Sequence, residues 1–401
     1  MKTKRLTMDT DYSDLCYHNR GAETHIEQLF DKLGENGFDA TIWDTFWCGT
    51  ALYHSTLLPL FENRLGFESA KNVAANLKQF DPLALAVGHG KKRNIMVLPY
   101  FRLLEEAYAP FDGHAFFTKN PEYWLQSRNG MHRIVGWPCY NYPEVREHMM
   151  KRLDDLVKHG VTGVFFDSAR SHIPYFYPWH WGNGDMFGFN QPVVDEFKRR
   201  HGIDLSKYDH AEEVVISKNI DGTPFNSYHK FVGTESYDGL ALRKLLGEGI
   251  EQFFREVRAK YPDLYIAYQS RLYDGGGTDE EIRGEYFQHS LFRINLEALC
   301  ADGIINEFSV SQDYAVGEFD TSMLPRFEHV KKSQVQLTAW LNNIFTPTGG
   351  EATVEITEDQ LKRYVDSFLN SKLDGAIVHE SAFLLEREDA GKAWSIVSRF
   401  K

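Results

Sequence analysis

The stretch Gly160-Val-Thr-Gly-Val-Phe-Phe-Asp-Ser-Ala-Arg170 decides the fold. Ahead of it, Val145, Met149, Leu153 and Val157 recur at helical spacing. Gly160 is placed to end that helix, because glycine takes the left-handed conformation without steric cost. Gly163 to Phe166 then reads as a short apolar strand of the kind buried on both faces. A carboxylate, a hydroxyl and a guanidinium follow at once as Asp167, Ser168 and Arg170. Burying a carboxylate unpaired is costly, so Asp167 is expected at the C-terminal mouth of its strand, facing a polar pocket.

The same unit of helix, stop, apolar strand and polar mouth recurs in both directions. Leu6–Met8 is the expected first strand, ending in Asp9 and Asp11; Ala40–Trp43 is the second, closing on Asp44. Ile95–Leu98 is the third, opening on Tyr100 and Arg102. Beyond the central unit, Leu264–Ala267 is the fifth, with Tyr268, Gln269 and Arg271 at its mouth. Gly303–Ile305 is the sixth, opening on Asn306 and Glu307. Val335–Trp340 is the seventh, although its spacing also suits a helix, and Gly375–Val378 is the eighth, followed by His379 and Glu380.

Thr24-His-Ile-Glu27 and Thr357-Glu-Asp-Gln360 have the form of capping boxes ahead of amphipathic runs. Leu242, Leu246, Ile250, Phe253 and Val257 mark a long helix before the fifth strand. Eight alternating units predict an α/β protein, a single (β/α)8 TIM barrel over residues 1–401 with long βα loops.

Composition narrows the partners. With 44 Lys and Arg against 57 Asp and Glu, the net charge of −13 opposes binding to nucleic acid or to an anionic membrane. Cys16, Cys48, Cys139 and Cys300 are too scattered for a disulfide framework or a zinc site. The 16 histidines form no HxH or HExxH pair, and Asp274-Gly-Gly-Gly277 lacks the flanking residues of a phosphate loop. No metal and no organic cofactor is expected. Met1-Lys-Thr-Lys-Arg-Leu6 has no apolar signal core, so the chain as given reads as soluble and cytoplasmic. Its oligomeric state is left open.

The chemistry gathers at the strand ends. Glycoside hydrolysis needs two carboxyls flanking the bond, one as acid and one as nucleophile or base. Asp44, Asp167, Glu307 and Glu380 follow the second, fourth, sixth and eighth strands. Asp167 is the candidate nucleophile or base, since Arg170 nearby would hold it ionised. Glu307 is the candidate acid, with Glu380 close behind. Asp44, Trp43, Trp47, Tyr100, Gln269 and His379 are candidate substrate contacts, with His379 either a hydroxyl ligand or a proton-transfer group. Arg102, Arg170 and Arg271 would either grip a carboxylate or sulfate on the substrate or serve as counter-ions to the four carboxylates. Aromatic residues reach 14%, many of them in stretches such as Tyr175-Phe-Tyr-Pro-Trp-His-Trp181. Such loops either stack on sugar rings or pack onto the barrel rim.

Gly163-Val-Phe-Phe-Asp-Ser-Ala-Arg170, followed by Gly188-Phe-Asn-Gln-Pro-Val-Val-Asp-Glu-Phe-Lys-Arg-Arg-His-Gly-Ile-Asp204, resembles an uncharacterised glycosyl-hydrolase-like (β/α)8-barrel family. Phe38-Asp-Ala-Thr-Ile-Trp-Asp-Thr-Phe46 with Tyr53-His-Ser55 is similar to that group too, so the resemblance covers most of the chain. It implies a barrel and carbohydrate chemistry and transfers no acid–base pair. Gln191 stands where relatives carry Glu, which argues against a catalytic role there.

The expected function is cleavage of a glycosidic bond in an oligo- or polysaccharide, neutral or anionic, by paired carboxylates. The rival expectations are a carbohydrate lyase or isomerase on the same barrel, and a non-catalytic carbohydrate-binding barrel.

Overall fold

The computed structural model describes residues 4–400 apart from 48, 64, 65, 67, 108–114, 169–186, 219–223, 234, 271–274, 282–291, 313–320, 323, 342–356, 380 and 387–389. Arg170, Arg271, Glu380 and the aromatic stretch 175–181 therefore lie outside the described residues.

Eight parallel strands close a barrel: β1 (Arg5–Thr10), β2 (Ala40–Asp44), β3 (Met96–Arg102), β4 (Gly163–Asp167), β5 (Tyr265–Ser270), β6 (Glu307–Gln312), β7 (Gln336–Leu341) and β8 (Gly375–Val378). Each pairs with its sequence neighbours, and β8 pairs with β1. Helices surround it, among them α1 (Glu23–Glu35), α2 (Pro82–Arg93), α3 (Pro143–Val157), α4 (Gln191–His201), α5 (Gly239–Lys260) and α6 (Leu296–Ala301). Apolar faces turn inward: Ile26, Leu29, Phe30 and Leu33 on α1 are buried, and Val145, Met149 and Leu153 on α3 are buried as their spacing predicts. After α3, Gly160 adopts φ +79°, the left-handed turn that its sequence position required. Gly163 faces the crowded barrel interior, where an added Cβ would lie 2.6 Å from Leu98 Cδ2, so no larger residue fits.

Three local expectations differ. The first capping box does not form: α1 starts at Glu23 after Ala22, which has no side chain to cap with, and Thr24 already lies inside the first turn. The third strand runs to Arg102, so Tyr100 and Arg102 are strand residues rather than loop residues. The sixth strand begins at Glu307, where the sequence reading ended it. Gly303 (φ +65°) and Ile304 belong to the turn that closes α6, with Gly303 N–H bonded to Cys300 O and Ile304 N–H to Leu299 O. The Ile-Ile run is thus a packed helix exit. The true strand was disguised by inward polar residues at Glu307 and Ser309.

Register sets the heights of the side chains inside the barrel. Registered residues on parallel neighbours face the same side. Asp167 registers with Gln269, Gln269 with Ser309, Ser309 with Thr338, Thr338 with Gly375, and Gly375 with Arg5. Arg5 opens its strand while Asp167 ends its own, so this path descends from mouth to base. Because barrel strands tilt by about 36°, each step falls by roughly one residue. The inward side chains therefore sort into layers drawn from alternate strands. Asp44, Asp167 and His379 stand uppermost, above Asp9, Tyr100, Gln269 and Trp340. Ile42, Phe165, Ser309 and Ile377 come next. Arg5, Met96, Tyr265 and Gln336 close the base. The apolar members form one buried cluster inside the barrel, separate from the larger core between barrel and helices.

Candidate active site

The two uppermost layers build the site. Asp167, at the end of β4, has no solvent exposure, and its Oδ2 accepts a 2.5 Å hydrogen bond from the Tyr100 hydroxyl. Tyr100 reaches it because β3 and β4 are neighbours with Arg102 and Asp167 in register. The Tyr100 ring stacks on Trp340 (centroids 6.1 Å apart), and Trp340 lies 5.8 Å from the His379 ring. His379 contacts Asp9 through Nδ1 and Oδ2, which links β8 to β1. Gln269, fully buried beside Asp167 on β5, has no hydrogen-bond partner at either amide atom among the described residues.

Arg102 caps one side of this mouth. Its guanidinium lies 3.4 Å from Asp44 and 3.2 Å from Glu105, donates to Phe46 O at 3.3 Å, and sits 4.8 Å over the Tyr100 ring. One guanidinium does not neutralise two buried carboxylates. Burial accordingly pushes the Asp44 carboxyl well above the usual carboxylate range, with Arg102 pulling the other way. Of the two roles the sequence left open for Arg102, counter-ion is the one its contacts fit.

Several expected residues lie elsewhere. Glu307, the expected acid, opens β6 four residue-steps below Asp167, about 10 Å down the barrel axis. There it accepts from the Tyr265 hydroxyl and Thr338 Oγ1, each at 2.8 Å, and pairs with Arg5 Nε at 3.5 Å. Trp43 alternates outward from Ile42 and Asp44 and packs against Tyr12 and Phe30, so it cannot face a substrate in the mouth. Trp47 stacks face to face on Phe61 at 4.9 Å, in a two-residue ribbon beyond β2. Ser168 turns outward, its hydroxyl 2.9 Å from that of Tyr268.

The segments that carry the family resemblance are partly structural. Asn190 donates to the carbonyls of Glu122 and Trp124 and accepts from Gln126 N–H, stitching the start of α4 to a neighbouring ribbon. Gln191 is exposed and bonds Asp195. Tyr53 and Ser55 donate to Asp155 on α3, which fastens the excursion after β2. Asp9 and Trp340 were missed as site residues. Asp9 ended an apolar run just as Asp44 did; Trp340 becomes legible only once the seventh run is known to be a strand, since period two then turns it inward.

No protein-family model matches the chain, and no curated protein matches it in sequence. Solved structures do share its fold. The catalytic domain of β-amylase from Paenibacillus polymyxa aligns with 100% of this chain and 99% of its own, at 10% identity and a TM-score of 0.59. β-Galactosidase from the psychrophilic Marinomonas ef1 aligns with 98% of this chain and 59% of its own, at 7% identity and a TM-score of 0.54. In fold, the chain is a closed (β/α)8 barrel. Identities this low carry the architecture and not the substrate. Among the described residues no group of three His, Cys, Asp or Glu is placed to hold a metal ion, and no helix is long and apolar enough to cross a membrane.

Proposed function

We propose that this protein hydrolyses a glycosidic bond in an oligo- or polysaccharide, with Asp167 as nucleophile or base. The observation that carries the reading is the environment of Asp167: a buried strand-end carboxylate, bonded by Tyr100 and set beside an unpartnered amide and a tryptophan. Barrel enzymes keep their sites at this face, and the shared fold with β-amylase and β-galactosidase adds weight by analogy.

In the reaction the anomeric C–O bond breaks and a proton passes to the departing oxygen. The anomeric carbon gains an oxygen from Asp167 itself or from water that Asp167 deprotonates. With Glu307 at the base of the barrel, the proton donor is Glu380, which follows His379 in the chain. Asp44 is the second reading for that donor, favoured by its upward-shifted carboxyl.

The contact of His379 with Asp9 favours one other reaction class, a lyase or isomerase with His379 as base. A glycan-library screen tests these readings, followed by aryl glycosides with good leaving groups. Asp167→Asn is inactive on every substrate, while the variant of the true acid (Glu380→Gln or Asp44→Asn) is rescued by the activated leaving group. Product absorbing in the ultraviolet, or full turnover by Asp167→Asn, contradicts the proposal.

A further inference from the structure

Gln269 buries both polar atoms of its amide unpaired among the described residues, in a barrel where Thr7 Oγ1 and Ser309 Oγ are unpaired as well. At the base, Glu307, Tyr265, Thr338, Gln336 and Arg5 meet one another's polar groups. Near the mouth, the Gln269 amide has zero exposure, and neither Nε2 nor Oε1 has a partner among the described residues. Its backbone is fixed in the sheet between Asp167 and Ser309, and its carbonyl accepts from Ser168 N–H at 3.0 Å. The hydroxyl of Ser309, registered beside it and one layer deeper, is also buried and without a partner among the described residues. Buried polar groups of this kind are costly, and a methionine would fill the same volume without that cost. An amide kept there against stability is a group held for something that enters from outside.

We infer that Gln269 is the specificity residue of the subsite at Asp167, binding a hydroxyl of the sugar ring whose bond is cleaved. This rests on the glycosidase reading. Geometry supplies the argument: Gln269 lies one strand over and one layer below Asp167, on the same level as Tyr100 and Trp340, so a ring seated against Asp167 turns an edge towards it. An amide offers a donor and an acceptor side by side, which suits a hydroxyl in both of its roles. A carboxylate or sulfate at that carbon would use the donor and meet the lone pairs of Oε1. A deoxy carbon would leave both amide atoms unpaired. The subsite therefore takes a neutral, hydroxylated ring and discriminates against its deoxy, oxidised and sulfated counterparts.

The test uses the full-length protein and the best substrate from the glycan screen, together with a set singly deoxygenated in the ring to be cleaved. Gln269→Met is expected to keep or raise Tm, because it removes no protein contact. It is expected to lower kcat/KM at least about 100-fold on the parent sugar and to abolish the penalty for one deoxy analogue; sites built to hydrogen-bond a hydroxyl discriminate by up to about 10,000- to 100,000-fold. Ser309→Ala serves as a second, milder variant with the same sign. A marked fall in Tm for Gln269→Met shows that the amide has a structural partner and overturns the inference. Wild-type rates and an intact deoxy penalty in Gln269→Met, alongside an inactive Asp167→Asn, overturn it while leaving the glycosidase reading in place. Activity in Asp167→Asn removes the reading on which it rests.

Discussion

The Tyr100 hydroxyl donates to Oδ2 of Asp167 across 2.5 Å, tying the end of β3 to the end of β4 within the barrel mouth. A hydrogen bond to an ionised acceptor contributes about 1.5–3 kcal/mol. Tyr100→Phe keeps the ring that stacks on Trp340 and removes only the donor. Turnover is expected to fall by roughly 10- to 100-fold, in proportion to that energy, with a small loss of stability. Steady-state kinetics beside a melting curve check this; unchanged kcat/KM would mean that the bond does not bear on the reacting carboxylate.

Glu307 gives the opposite prediction. It compensates Arg5 at the base of the barrel, with its own side chain 1% exposed. Glu307→Gln leaves that cation without its counter-charge, a change that costs about 3 kcal/mol when a buried pair is broken. Denaturant titration should show the loss while kcat stays near that of the wild type. A stable variant with abolished turnover would return Glu307 to the catalytic role its sequence position suggested.

Trp43 separates a packing role from a binding one. It is fully buried against Tyr12 and Phe30, away from the mouth. Trp43→Ala should destabilise by about 3–5 kcal/mol, as large-to-small core changes do, with KM unchanged in the fraction that folds. A raised KM without loss of stability would contradict the outward orientation.

One ion pair makes stability depend on pH. His159 Nε2 lies 3.1 Å from Asp81 Oδ2, joining the end of α3 to the capping residue of α2. The bond to Asp81 raises the pKa of His159 above its ordinary 6.5, against the effect of burial. For Asp81, burial opposes ionisation, but hydrogen bonds from His159 and from the N–H groups of Ala84 and His54 outweigh it and bring the carboxyl below 3.8. The His159 contribution is whole below pH 6.5 and is lost as pH rises through the raised folded value. The Asp81 contribution is whole above pH 3.8 and is lost as pH falls through the depressed one. His159→Gln should therefore cost most between those limits and progressively less towards alkaline pH. Urea midpoints measured for both proteins from pH 4 to 9 check it; a constant difference across that range would rule the pair out.

Much of the barrel was legible because buried parallel strands are short apolar runs, and seven of the eight were found that way. The sixth was misplaced because its inward face is polar: Glu307 and Ser309 broke the run, while the helix exit at Ile304 and Ile305 imitated one. That slip put Glu307 at the wrong end of the barrel. The place of Asp167, Tyr100, Gln269 and His379 at the barrel mouth was legible because each ends or follows an apolar run and period two turns it inward. Trp43 was misjudged for want of the same count, since its neighbours Ile42 and Asp44 take the inward positions. The role of Arg102 lay beyond reach of spacing, because Glu105 and the Phe46 carbonyl meet it only in the fold.

The most direct measurement is the turnover of Asp167→Asn on a glycan that the wild-type protein cleaves, with folding verified by a melting curve. The substitution keeps an acceptor for the Tyr100 hydroxyl and removes the charge. Loss of at least about 1,000-fold in kcat with the fold retained is the predicted result, in the range expected when a group acting in the chemical step is removed. Hydrolysis at the wild-type rate by a folded Asp167→Asn would contradict it.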